Sequence, residues 1–308
     1  MMLLADAAPP APSAREVMAR AETENFPVAS KVLPRRVRGH LLAVYGFARL
    51  VDELGDSAPG DRLAALDWLE EELQRVYTGA PEHPLMQRLA ATVRACGLAR
   101  EPFQRLIEAN RTDQRVSRYE TWEQLRGYCT LSANPVGEIV LGVFGAATPR
   151  RIELSDAICT ALQLAEHCQD VAEDYAAGRV YLPAEDLAHF GCPESELDPA
   201  APDGVGGRRS ASAPLRAVLA FEAARGRALL DRGAPLIGEL RGRERLAVAA
   251  FAAGGRAAFE AIERADYEVL SGPPQATKAR RLLALAATLA GRRATRREPR
   301  RDAGSHAA

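Results

Sequence analysis

Two pairs of aspartates, Asp52 with Asp56 in RLVDELGD and Asp170 with Asp174 in QDVAEDYAAGRVYLP, stand at i and i+4 inside strongly helical stretches. Residues at that spacing share a helix face, so each pair is expected to aim two carboxylates at one point. The first pair follows Leu41, Leu42, Val44, Tyr45, Phe47, Ala48, Leu50 and Val51, a run apolar on nearly every side. Such a helix is expected to be buried. Leu162, Leu164, Ala165 and Val171 surround the second pair in the same way. On a solvated helix an acidic pair is ordinary surface charge, whereas a buried one needs a cation, either arginine or metal. Two such helices facing each other would ring a cavity with oxygen ligands. That donor set suits Mg²⁺, which completes its shell with water and substrate phosphate. The pattern therefore constrains the chain to helices around an acid-lined cavity and points to chemistry on a diphosphate.

The rest of the sequence agrees with an all-α body. Ala, Leu, Glu and Arg recur throughout, aromatic residues make up only 6% of the chain, and no stretch alternates long enough to predict a sheet. With 308 residues, 47% of them hydrophobic, the chain can bury a large core. A net charge of −1 gives no basic stripe for nucleic acid.

Punctuation places the helices. Ser13 is a candidate cap with Glu16 at the third helical position, and Pro27 interrupts that stretch. Pro34 opens a run through Leu54 that Gly55 is expected to end, and an amphipathic stretch follows from Asp61 to Tyr77. Further helices are expected near 84–96, 102–114, 119–131, 135–145 and 151–177, the last stopped by Gly178. A loop covers Cys192 to Arg209, long helices follow near 212–231 and 241–270, and Pro273-Pro274 starts a final helix through Leu289. Residues 1–14 and 291–308 read as disordered ends, the second basic, around a single domain at 15–290.

No secretory signal and no window approaching 18 uninterrupted apolar residues is present, so a cytoplasmic protein is expected. Five cysteines without a CxxC pair read as small buried hydrophobes rather than a zinc or disulfide framework. Arg292, Arg293, Arg296, Arg297, Arg300 and Arg301 form a basic tail that either touches anionic lipid at the inner face of the membrane or is simply solvated.

The stretches AVYGFARLVDELGD and LQLAEHCQDVAEDYAAGRVYLP resemble the two aspartate-rich signatures of the squalene and phytoene synthase family. Tyr45, Arg49, Asp52, Glu53 and Asp56 match the first signature, and Asp170, Asp174, Arg179, Tyr181, Leu182 and Pro183 the second. The resemblance implies an isoprenoid-synthase-type helical bundle around a central cavity, with Mg²⁺, an isoprenyl diphosphate substrate and carbocation chemistry. ENFPVAS at Glu24 to Ser30 and SANPVG at Ser132 to Gly137 resemble the hydroxysqualene synthase branch, in which Asn134-Pro135 replaces small residues of the condensing members. That branch ionises presqualene diphosphate, a C30 substrate, and captures the rearranged cation with water. Other squalene-pathway enzymes are the protein partners this implies. The alternatives are a head-to-head prenyltransferase acting on farnesyl or geranylgeranyl diphosphate and a non-catalytic assembly factor.

The resemblance also implies roles. Asp52, Asp56, Asp170 and Asp174 hold Mg²⁺, with Glu53 and Glu166 as outer members. Glu166 stands where the family usually has Asn, so it adds a third carboxylate to the second motif. Arg49 and Arg179 clamp phosphate oxygens through bidentate guanidinium contacts. Tyr45 and Tyr181 bind the diphosphate or face the cation with their rings. Asn134 is the candidate for positioning the capturing water.

Overall fold

The structure, a computed structural model, describes residues 12–19, 33–200 and 210–291. ENFPVAS and the basic tail from 292 onward lie outside the described residues. Among those described there are helices and no strands beyond one isolated bridge between Arg118 and Val180. The helices are α1 (Ala14–Ala19), α2 (Arg35–Asp52), α3 (Arg62–Thr78), α4 (Pro84–Cys96), α5 (Glu101–Asp113), α6 (Trp122–Ser132), α7 (Asn134–Val143) and α8 (Pro149–Gln169). They continue with α9 (Val171–Ala176), α10 (Ala184–His189), α11 (Ala213–Gly233), α12 (Pro235–Glu239), α13 (Gly242–Arg264) and α14 (Lys278–Leu289).

Capping explains several boundaries. Asp61, Thr121, Thr148, Ser212 and Thr277 each accept a backbone N–H from the first turn of the helix they precede, which satisfies a donor the helix itself cannot. Gly79 and Gly97 end α3 and α4 in the left-handed region that costs glycine least.

Four expectations are corrected. Gly55 does not end the first long helix: α2 passes into a π-helical turn at Glu53–Ser57, and Gly55 lies inside it. A Cβ there would fall 2.0 Å from Asn110 Oδ1, so glycine is required by the close approach of α5. The helix expected over 151–177 breaks at Asp170, whose φ of −99° and ψ of 17° separate α8 from α9. Pro273-Pro274 does not start the last helix, because the chain stays irregular until the Thr277 cap. Within the expected loop, Glu194–Leu197 forms a 3₁₀ turn that buries Leu197.

Two apolar clusters form the core. One joins α2 to α5 around Phe47, Leu66, Met86 and Phe103; the other joins α8, α11 and α13 around Leu164, Leu219 and Phe259. Small residues let the helices close up. A Cβ at Gly137 on α7 would meet Ser155 Oγ at 2.3 Å and Cys159 Sγ at 2.6 Å on α8. The five cysteines are all free, with Cys129, Cys168 and Cys192 buried. No helix among the described residues is long and apolar enough to cross a membrane.

Candidate active site

Between the two clusters lies a cavity of about 510 Å³, within the ~300–1,000 Å³ range of pockets that bury small molecules. Its wall takes Arg49 and Asp52 from α2, Asp56 from the π turn, Asn110 and Asp113 from α5, and Tyr128 and Ser132 from α6. Opposite stand Gln163, Glu166 and His167 of α8, then Asp170, Asp174, Arg179 and Tyr181. Both acidic motifs, far apart in sequence, thus face one volume.

Backbone devices aim the second set. The break at Asp170 turns the motif, while Asp170 N–H and Asp174 N–H still bond the carbonyls of Glu166 and Asp170 at 2.9 and 2.8 Å. Gly178, at φ 80°, ends α9 in the left-handed region. Val180 N–H then bonds Ser117 O at 2.9 Å and Ala184 N–H bonds Tyr119 O at 2.9 Å, clamping the segment that carries Arg179 and Tyr181.

The charges divide unevenly. Arg179 Nη1 reaches Asp56 Oδ1 at 3.0 Å and Arg49 Nη1 reaches Asp52 Oδ2 at 3.4 Å, so arginine serves the first motif. Among the described residues no cation pairs with Glu166 or Asp170. Burial, then repulsion from Asp170, Asp52 and Asp174, pushes the Glu166 carboxyl up to about 7. Burial and Asp170 push Asp174 up to about 7 as well. Glu166 nonetheless has accessible surface, because it lines the cavity while lying deep in the protein.

His167 is the nearest basic group to Asp174, with Nδ1 4.0 Å from Oδ2, yet it cannot neutralise it. Burial, reinforced by Arg179, pulls the imidazole down to about 3, so it is neutral. The imidazole stacks on the Tyr181 ring with centroids 3.9 Å apart, and Tyr119 and Tyr128 pack on that tyrosine ring as well. Tyr128 Oη and Tyr181 Oη donate to the two oxygens of Asp113 at 2.7 and 3.2 Å. Burial outweighs these bonds and pushes the Asp113 carboxyl up to about 6.

Several expectations need correction. The first pair is not buried: Asp52 and Asp56 are 46% and 48% exposed, because they line the open cavity while Val51 and Leu54 beside them stay in the core. The carboxylates ring the volume rather than meeting at one point, and among the described residues no three acids, histidines or cysteines form a ready metal cluster. Tyr45 is buried, and neither it nor Glu53 is on the cavity wall. Asn134 is buried as well, and its amide oxygen accepts the Thr160 hydroxyl at 3.0 Å, leaving Ser132 and Val136 of that motif on the wall. Asp113, Tyr128, Asn110 and Gln163 carry no signal at the level of spacing. Only the Asn110 and Asp113 interval of three residues on a polar helix end could have drawn attention.

A helical bundle whose central cavity is ringed by acids and arginines is an enzyme of the isoprenoid synthase kind. This chain belongs to the squalene/phytoene synthase family, whose model matches residues 19–281. It is 36% identical to a hydroxysqualene synthase of Zymomonas mobilis over 68% of this chain and 69% of that one. Another hydroxysqualene synthase, from Rhodopseudomonas palustris, is 36% identical over 71% and 72% of the two chains. A presqualene diphosphate synthase of the same organism is 34% identical over 70% and 78%. A crystal structure of a squalene synthase from Alicyclobacillus acidocaldarius superposes with a TM-score of 0.75 at 44% identity, covering 83% of this chain and 93% of that one.

Proposed function

We propose that this chain is a hydroxysqualene synthase: it ionises presqualene diphosphate and returns water to the rearranged cation. The observation that carries the reading is one cavity that joins both acidic motifs to Arg49 and Arg179. The relatives named hydroxysqualene synthase support this branch over its neighbours.

The donor set fits Mg²⁺. Glu166, Asp170 and Asp174 crowd negative charge, and burial first and repulsion from neighbouring carboxylates second hold their carboxyls above the ordinary carboxylate range, with Arg179 offsetting part of this at Asp174. Asp52, Asp56, Asp170 and Asp174, with Glu166, would hold the ion, with water and phosphate filling the gaps of the ring. When bound, Mg²⁺ neutralises the diphosphate and makes it a better leaving group.

The chain's own residues do the rest. Arg49 and Arg179 exchange part of their contact with Asp52 and Asp56 for phosphate oxygens. The C–O bond to the diphosphate breaks and its electron pair leaves with the diphosphate. Tyr181 and Tyr128 are on the cavity wall, and we assign their rings to stabilising the cation as it rearranges. A water oxygen then bonds the cationic carbon and must lose a proton. Asp113, on the wall and held by two tyrosine hydroxyls, is the acceptor we assign, replacing Asn134. The substrate's hydrocarbon fits a protein that works in the cytoplasm against the inner face of the membrane.

Turnover of presqualene diphosphate in ¹⁸O-labelled water tests the reading. The expected product is hydroxysqualene carrying one ¹⁸O; a hydrocarbon product, or an unlabelled alcohol, refutes water capture. The presqualene diphosphate synthase of similar identity keeps a condensing prenyltransferase as the second reading.

A further inference from the structure

The last helix of the described chain presents an apolar stripe to solvent. Leu282 and Leu283 are 67% and 70% exposed, the highest values among the large hydrophobic side chains of the described residues. At 100° per residue, Ala279, Leu282, Leu283, Ala286 and Ala290 fall on one face of α14, and all five are exposed. The opposite face does the packing. Ala284 is buried against Ala253 and Ala257 of α13, while Leu285 and Leu289 reach the larger core. Among the described residues, therefore, little packs on the outward leucines.

Charge frames the stripe. Lys278 and Arg280 fall on its two flanks, Arg281 follows, and α14 contains no acidic residue. At the far end, Arg245 Nη2 donates to Leu289 O at 3.3 Å, bringing the exposed start of α13, with Arg241 and Arg243, beside the helix terminus. Glu244 is the one acid in that stretch. An exposed apolar stripe bordered on both sides by Lys and Arg is the pattern of a helix lying in a bilayer interface.

We propose that α14 is a docking surface for anionic phospholipid bilayers, with Leu282 and Leu283 entering the acyl boundary and Lys278 and Arg280 on the flanks meeting the headgroups. The loop that leads into α14 touches the segment that carries the second acidic motif. In the loop before α14, Pro274 O accepts the Gln169 side-chain amide at 2.5 Å, and Gln169 immediately precedes Asp170. The docking itself requires no substrate and stands apart from the reaction assigned above.

Vesicle flotation of the full chain tests this without turnover. Binding to vesicles of phosphatidylglycerol with phosphatidylcholine is expected to exceed binding to phosphatidylcholine alone at least ten-fold and to weaken as salt is raised. L282E/L283E, both at exposed positions, should keep the wild-type circular dichroism and melting curve. Its affinity for the anionic vesicles should fall at least ten-fold although the arginine tail is intact. In a separate L283W variant, tryptophan emission should shift to the blue on adding anionic vesicles. Unchanged binding by L282E/L283E would overturn the proposal and leave the tail responsible. A change of oligomeric state in that variant with unaltered vesicle binding would overturn it in favour of a protein interface. If docking is confirmed and presqualene diphosphate is still not turned over in detergent, the functional assignment alone fails.

Discussion

Replacing Asp113 with Asn should raise stability at neutral pH. The Asp113 carboxyl moves from an ordinary 3.8 to about 6 in the folded protein, chiefly through burial. Its folded value lies above its unfolded one, so between those limits the folded state binds more protons. The carboxyl therefore contributes a loss of stability that develops as pH rises from ~3.8 to ~6 and is constant above. At ~1.36 kcal/mol per unit, the full difference is about 3 kcal/mol, of which about 2 kcal/mol falls between pH 4.5 and 7.5. Asparagine does not titrate and keeps an acceptor oxygen for one of the two tyrosines. Urea unfolding of both proteins in EDTA, followed by circular dichroism, should show the D113N stability rising relative to wild type by about 1–2 kcal/mol over that interval, after allowing for water in the cavity. A difference that stays constant with pH, or that moves toward wild type, refutes the reasoning. The same substitution should lower kcat ~10²-fold if Asp113 takes the proton from water, a function gained at the expense of stability.

Arg179→Ala should cost less than about 1 kcal/mol of stability, since its pair with Asp56 is partly exposed. Its kcat/KM should nevertheless fall at least ~10²-fold with the loss of a phosphate contact; steady-state kinetics beside thermal melts separates the two. In thermal-shift assays, Mg²⁺ with inorganic diphosphate should raise the Tm of the wild type, and E166Q/D170N should lose most of that rise; an unchanged shift would remove these acids from the metal site. A Cβ at Gly226 would lie 2.0 Å from Phe259 Cζ in the core. Gly226→Ala should therefore lose about 1–3 kcal/mol in urea titrations. Glu222 is pushed up to about 8 by burial and by Asp186, with which it shares Arg225. The wild type should lose stability as pH rises from ~4.5 to ~8 relative to E222Q, and parallel pH curves for the two would contradict this.

Helix type and order were readable because the chain repeats apolar residues at helical spacing and marks its turns with Pro and Gly. The π turn at Glu53–Ser57 was not, since Gly55 reads locally as a stop; only the approach of Asn110 from another helix reveals why glycine stands there. The acidic motifs were legible as spacing within one helix. Asp113 and Tyr128 were not, because they acquire meaning only when α5 and α6 are laid beside Tyr181. Asn134 misled for the complementary reason. It stood out through the resemblance of SANPVG to one branch of the family, but its oxygen is taken by Thr160. The unequal pairing of the two motifs, arginine for one and none for Glu166 and Asp170, is likewise a tertiary fact.

The central claim is that this family member opens presqualene diphosphate rather than building it. Purified protein with Mg²⁺, given presqualene diphosphate and farnesyl diphosphate in parallel, addresses it most directly. The account predicts hydroxysqualene and free diphosphate from the first, with the second untouched. Consumption of farnesyl diphosphate, with presqualene diphosphate accumulating or left unreacted, would contradict it and make the chain a condensing synthase.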